Sequence, residues 1–487
     1  MKSMLRLVIL LGTALATTWS ASAQDTVPFE FELPRAAIQL DLFDCRLEVV
    51  TETGAQPLIR AVDASGSAGD PAAFRVAQSG GTVQITRLPN PEGAPVTTAV
   101  VELVIDSSQS VTASGSGLSV TMRGEGKPPE EKPPAEGSET APAGQDAASS
   151  THTLELADSE VALFRTPSTS LRATNTAVHA EGTFGSFSAE LAWSTLTVRG
   201  HEGSMNLISD DSETLVERLI GNLEFTLTRG GLDLRDGNGN VRGDSREGRV
   251  SADHWEGSAT VTATDANIEF REGSLAQITF KGVNSDLTVD GVRGNVKADF
   301  EGGDGFAEST RGSLDLTGLA GARITGENLQ GPLVLRLRED SEAEIRQALD
   351  TLTAKVHSSK FFGSGINNLD LVATESAVTL EDVQRTTRFK VDQSHVELDL
   401  SQTKEQKFNL KVPDDTYVRV VLYSPCRVRV RTSAEGGKGV DVTGCELQIG
   451  TTGRWRGGQL RSIDGRPPFM LIADVGDTGE LRVQGGP

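Results

Sequence analysis

Apolar and polar residues alternate along this chain in short runs that restart at nearly fixed intervals. Between Leu223 and Val296 each run sets two apolar residues about a single intervening one, with Gly, Asp and Asn recurring between runs. The first apolar positions are Leu223, Leu232, Val241, Val250, Ala259 and Ile268, nine residues apart. Ile278 follows after ten, and Leu287 and Val296 after nine again. A period of two puts alternate side chains on opposite faces of a strand. A fixed longer period marks stacked supersecondary units, so the pattern predicts an all-β chain folded as a β-solenoid. Two strands per turn give a coil of roughly 18–19 residues. Runs at Leu314, Leu333 and Leu352 continue the series, and Leu371, Leu380, Phe389 and Leu398 return to the nine-residue step.

The same pattern divides the chain. Residues 1–23 read as a secretory signal: Lys2 and Arg6 precede a short apolar core, and Ala21-Ser22-Ala23 is a small-residue cleavage site before Gln24. Residues 24–123 form an N-terminal β-rich unit, with alternation at Ile38–Leu42, Val83–Thr86 and Val101–Ile105. Residues 124–150 carry Pro, Glu, Ala, Gly and Ser with almost no large aliphatic, which predicts a disordered linker or long loop. It either joins two domains or bulges from one continuous solenoid. The solenoid is expected over 151–412 and a C-terminal β cap over 413–487, since a stacked sheet needs its last rung covered. Two segments, Ser209–Gly221 and Ser341–Leu349, have helix-like spacing and are expected to be helical turns.

Composition narrows the partners. The chain has 68 acidic and 46 basic side chains and a formal net charge of −22, which argues against a nucleic-acid ligand. No window beyond the signal is apolar for long enough to be a transmembrane helix. The expected location is therefore outside the cytoplasm, in a periplasm, at a cell surface or secreted. Three cysteines remain after signal removal. Cys426 and Cys445 are nineteen residues apart, one more than two nine-residue steps, and so are expected on neighbouring strands as a disulfide. The alternative is that Cys45 takes one of them and ties the chain ends together.

Chemistry is harder to find. Gly230-Gly231-Leu232-Asp233 and Asp236-Gly237-Asn238-Gly239-Asn240 approach a calcium-binding nonapeptide, yet neighbouring repeats lack the double glycine. Left-handed turns already account for Gly, Asn and Asp there. Asp233, Asp236, Asp265, Glu269, Asp286, Asp290, Asp299 and Asp315 lie on or beside strands, where solvating roles are expected. The six histidines show no metal-ligand spacing, and no cofactor, metal or catalytic motif stands out. Trp193, Trp255 and Trp455 are sugar-stacking candidates whose commoner role is in a core or cap. Arg427, Arg429 and Arg431 line one face of a strand. They either balance adjacent acidic strands or form a candidate anion or acidic-glycan contact. Arg242-Gly243-Asp244 spells an integrin-type tripeptide inside a repeat that needs Gly and Asp anyway.

Asn222-Leu223-Glu224-Phe225, Asn238-Gly239-Asn240-Val241-Arg242-Gly243 and Phe408-Asn409-Leu410-Lys411-Val412-Pro413-Asp414 resemble the adhesin-like, or toastrack, domain family of unknown function found in bacterial envelope proteins. That resemblance covers most of the mature chain. It implies a β-solenoid used for binding or scaffolding, with an envelope protein or glycan as partner, and brings no catalytic residues. The linker and the paired cysteines depart from it. The expected function is thus an exported, non-enzymatic envelope module. The alternative is a carbohydrate-active enzyme, a polysaccharide lyase or glycosidase, on a β-helix scaffold.

Overall fold

The nine-residue step is the spacing of two strand rows that share one coil. In one row Leu223, Val241, Ala259, Ile278 and Val296 lie abreast on successive strands; in the other, Leu232, Val250, Ile268 and Leu287 do. All these pairings are parallel and one coil apart. The computed structural model describes residues 29–32, 36–52, 54–62, 74–79, 82–87, 99–106, 109–124, 151–403, 407–423, 426–432, 439–450 and 469–485. Among them every regular element is a strand. Residues 1–23, expected to be a signal, Trp455 and residues 125–150 lie outside the described residues. The chain forms two compact units, Met1–Ser170 and Leu171–Pro487.

In the first unit the rungs do not follow chain order. Strand Ala37–Phe43 is flanked in parallel by Thr82–Arg87 on one side and Val111–Ser116 on the other. Cys45–Glu52 is likewise flanked by Ala99–Asp106 and Ser119–Gly124. Beyond these, Phe74–Ser79 pairs antiparallel with Thr82–Arg87, and Leu58–Val62 with Ala99–Asp106. Antiparallel strands thus close this end of the parallel stack, where a bare edge would invite pairing with another chain. On the other side, His152–Ala157 stacks on Val111–Ser116 and Glu160–Phe164 on Ser119–Gly124. The strands that precede residue 125 and follow residue 150 in the chain are thus neighbouring rungs. The buried Arg87 donates to the carbonyls of Phe43 and Asp44 and lies over the Phe43 ring, holding the corner before Cys45.

The second unit shows why the turn residues recur. Asn175, Trp193, Asp211, Arg229, Glu247 and Asp265 all have φ near +50° and stand eighteen residues apart at one corner of the coil. Arg218, Asp236, His254 and Glu272 mark the other corner with the same φ. Left-handed backbone is tolerated best by Asn, Asp and Gly, which explains them without a ligand. After the first corner comes a buried small residue. Thr176 N donates to Ser194 Oγ (3.1 Å) and Ser194 N to Ser212 Oγ (2.9 Å), while each hydroxyl donates to the carbonyl two residues before it. Ser285, Ser376 and Ser394 repeat the arrangement. These hydroxyls are buried yet bonded on both sides, so they cost little.

Inside, aliphatic and Phe columns fill the core; Phe225, Phe270, Phe280 and Phe300 are all at most 2% exposed. The two expected helical turns are strands instead: Glu202–Glu217 and Glu342–Ala348. A corner resets the in-out phase, so inward Val216 and Leu219 flank Arg218, and inward Ile345 and Ala348 flank Gln347. Three-residue spacing across a left-handed corner imitates a helix. Ile220, counted to the helical face, is 61% exposed.

The C-terminal rungs also interleave. Phe469–Val475 lies between Lys407–Val412 and Cys426–Thr432, and Glu480–Gly485 between Tyr417–Leu422 and Val440–Thr443. Strand Glu446–Gly450 pairs with Cys426–Thr432. The Cys426–Cys445 disulfide, Cα–Cα 5.0 Å, joins those two rungs as the nineteen-residue spacing implies. Cys45 is a buried free cysteine in the other unit.

Candidate functional site

Outward side chains stand abreast of their counterparts one coil away, so charge along a column decides whether coils attract. The usual solution here is an unlike pair. Arg172 meets Glu190 (2.8 Å), Arg199 meets Glu217 (2.7 Å), Arg229 meets Asp211 (2.7 Å), and Lys360 meets Glu342. Hydrogen bonds from Arg229 hold the Asp211 carboxyl below its ordinary range, and Lys360 does the same for Glu342.

Like charges also stand abreast, as at Arg293 and Arg311 or Arg419 and Arg482, and in one region they gather. Arg336 on strand Leu333–Leu337 lies abreast of Lys355 on Thr351–His357. Lys355 lies abreast of Val372 on Lys360–Thr374, and Val372 abreast of Lys390 on Ala377–Asp392. Arg338 and His357 follow further along the first two strands, and Arg388 lies on the fourth, abreast of Asp370. Val372 and Thr374 are short, so the strand between the two cationic flanks is a dip. The result is a shallow groove of about 280 Å³ lined by Arg336, Arg338, Lys355, His357, Val372, Thr374 and Arg388. Arg336 also bonds Asp315. Arg338, Lys355, Arg388 and Lys390 make no ion pair among the described residues. Phe389 and Phe408 touch at 5.6 Å, and exposed Lys407 and Lys411 continue the cationic face on strand Lys407–Val412.

The arginines singled out from sequence lie on the same face, but engaged. Arg427, only 7% exposed, donates to Glu446 (2.8 Å); Arg429 donates to Gln448 (3.1 Å); Arg431 bonds Asp474. They perform the charge balance between adjacent strands. Trp255 is 1% exposed and donates to the Gly239 carbonyl (2.9 Å), a core residue, whereas Trp193 is 63% exposed at a corner. His152 and His201 are buried, and burial pushes both below the ordinary histidine range, His152 to about 4. His254 is exposed between Asp253 and Glu272, which raise it.

The carboxylates expected to solvate the strands are dispersed. Asp236 and Asp265 are corner residues with φ of +51°, Glu269 meets Arg249 and Arg271, Asp286 accepts from the Asp304 amide, and Asp315 bonds Arg336. Asp233, Asp290 and Asp299 are half-buried strand residues. Among the described residues no three His, Cys, Asp or Glu side chains converge as a metal site. Gly243 of the Arg-Gly-Asp tripeptide faces inward against Phe225 within an extended strand. The groove itself went unrecognised in the sequence. Its signal was a set of cations separated by unequal coil lengths, which align only once register is known.

The fold and this face define a β-solenoid with a cationic groove. No family model, curated protein or solved structure matches the chain.

Proposed function

We propose that this chain is an exported, non-enzymatic β-solenoid that serves the bacterial cell envelope as a binding or scaffold module, in the manner of the adhesin-like family it resembles. The observation that carries this reading is that Arg338, Lys355 and Arg388, which make no ion pair among the described residues, line one shallow, open groove. Such a surface suits holding a partner. Asp211 and Glu342 are kept ionised by their cations, the opposite of what a general acid requires. Export is supported by the signal-like start and by the Cys426–Cys445 disulfide, since disulfides persist in oxidising compartments. No helix among the described residues is long and apolar enough to cross a membrane.

The test is fractionation of a Gram-negative host expressing the full chain with a C-terminal tag, together with N-terminal sequencing. Recovery outside the cytoplasm, beginning at Gln24 and oxidised at Cys426 and Cys445, is the expected result. Cytoplasmic retention with Met1 intact overturns it. Incubation with acidic and neutral polysaccharides addresses activity. Turnover abolished by a single Asp substitution would replace the binding module with an enzyme.

A further inference from the structure

We propose that the groove over Arg336, Lys355, Val372, Thr374 and Arg388 binds an acidic polysaccharide, a chain of uronate sugars lying across the strands. This rests on reading the protein as a binding module and names the ligand class and the site.

Like charges abreast on adjacent strands destabilise a sheet, yet Arg336 and Lys355 stand so, with Lys390 next along the column after Val372. An anion from outside resolves that conflict. Strands in a sheet are ~4.7–4.9 Å apart, close to the length of one pyranose residue. Carboxylates along the polymer can therefore fall opposite Arg336 and Lys355 on neighbouring rungs and, past the Val372 rung, opposite Lys390. Arginine binds a carboxylate through two parallel N–H donors, and Arg388 and Arg338 make no competing ion pair among the described residues. Val372 and Thr374 give the floor a small methyl-bearing surface suited to sugar C–H groups. The groove is open and shallow, which suits a polymer passing through rather than an enclosed small molecule.

The surroundings restrict the ligand further. With a net charge of −22, the rest of the surface repels polyanions and confines one to this face. Asp315, Asp370 and Asp392 flank the cations and oppose the broad, dense phosphate array of a duplex.

The experiment uses the full mature chain in affinity electrophoresis and calorimetric titration with polygalacturonate, with dextran as the neutral polymer and polyphosphate and duplex DNA as other polyanions. The wild type should bind polygalacturonate and not dextran, more weakly as salt rises. Lys355→Glu with Arg388→Glu should weaken binding by about tenfold or more, with an unchanged circular dichroism spectrum. Lys355→Arg should retain it, as should Arg271→Gln on the other strand row. Equal binding by the double variant overturns the site, and equal binding of polyphosphate or DNA overturns the ligand class. Failure of the wild type to bind polygalacturonate overturns the inference. The fractionation and N-terminal sequencing judge the envelope reading independently.

Discussion

Gly237→Ala isolates how one coil constrains the next. A Cβ at position 237 would lie 2.1, 2.4 and 2.7 Å from Cζ3, Cη2 and Cε3 of Trp255. Carbon atoms pack at about 3.5–4.0 Å, so the ring would have to retreat by more than an ångström. It has nowhere to go: Trp255 is 1% exposed and its Nε1 is bonded to Gly239 O at 2.9 Å. Gly237 is not among the positive-φ glycines, so alanine fits the backbone and the effect is steric. Overpacking costs about 1–3 kcal/mol. A strained hydrogen bond adds up to about 1 kcal/mol, and the stiffer unfolded chain returns about 0.4–1 kcal/mol. The net loss expected is about 1–3 kcal/mol. In a Trp255→Leu background the clashing ring atoms are gone, so Gly237→Ala should become neutral or stabilising and the double-mutant cycle should show strong coupling. Stacked repeats need not unfold in one step. The assay is therefore native-state hydrogen exchange of strands Leu223–Arg235, Asn238–Asp253 and Glu256–Thr264. An equal penalty in both backgrounds refutes the ring contact as the cause.

Leu287, 2% exposed between Ile268 and the next rung, should not tolerate a charge: Leu287→Asp should cost on the order of 4 kcal/mol and expose neighbouring coils to proteolysis, and an unchanged melting curve would contradict the inward register. Cys445→Ser opens a loop of sequence separation 19 and should cost roughly 3 kcal/mol by chain entropy, seen as faster exchange confined to Cys426–Thr432 and Glu446–Gly450. His152 is held neutral, with its folded pKa lowered to about 4 from 6.5, so the unfolded chain binds the extra proton. Its contribution is complete above pH 6.5 and is lost as pH falls from there towards 4, by roughly 3 kcal/mol in all. Replacing it with Leu should flatten the loss of stability between pH 7 and 5, measured by urea unfolding, and an unaltered pH profile would refute that role.

How far the chain can be read without coordinates depends on what each feature needs. Strand existence needs only local alternation, and Leu223 through Val296 supply it. The disulfide needs one count, nineteen residues, that matches a coil. Rung order needs more. Strands Thr82–Arg87 and Ala99–Asp106 stack outside Ala37–Phe43 and Cys45–Glu52, and 469–485 insert between earlier strands, because parallel edges accept any strand with a matching inward column. Nothing local in those segments encodes which edge they take. The partner of Arg431 came from Asp474, 43 residues away, for that reason. The groove is the sharpest case. From Arg336 to Lys355 is nineteen residues, from Lys355 to Val372 seventeen, and from Val372 to Lys390 eighteen, with an irregularity between Leu369 and Asp370. A constant eighteen-residue step keeps Arg336, Val372 and Lys390 in phase but puts Ala354 where Lys355 stands, and so turns Lys355 to the inner face. On a solenoid the place of a charge such as Lys355 becomes legible only after each coil's length is known.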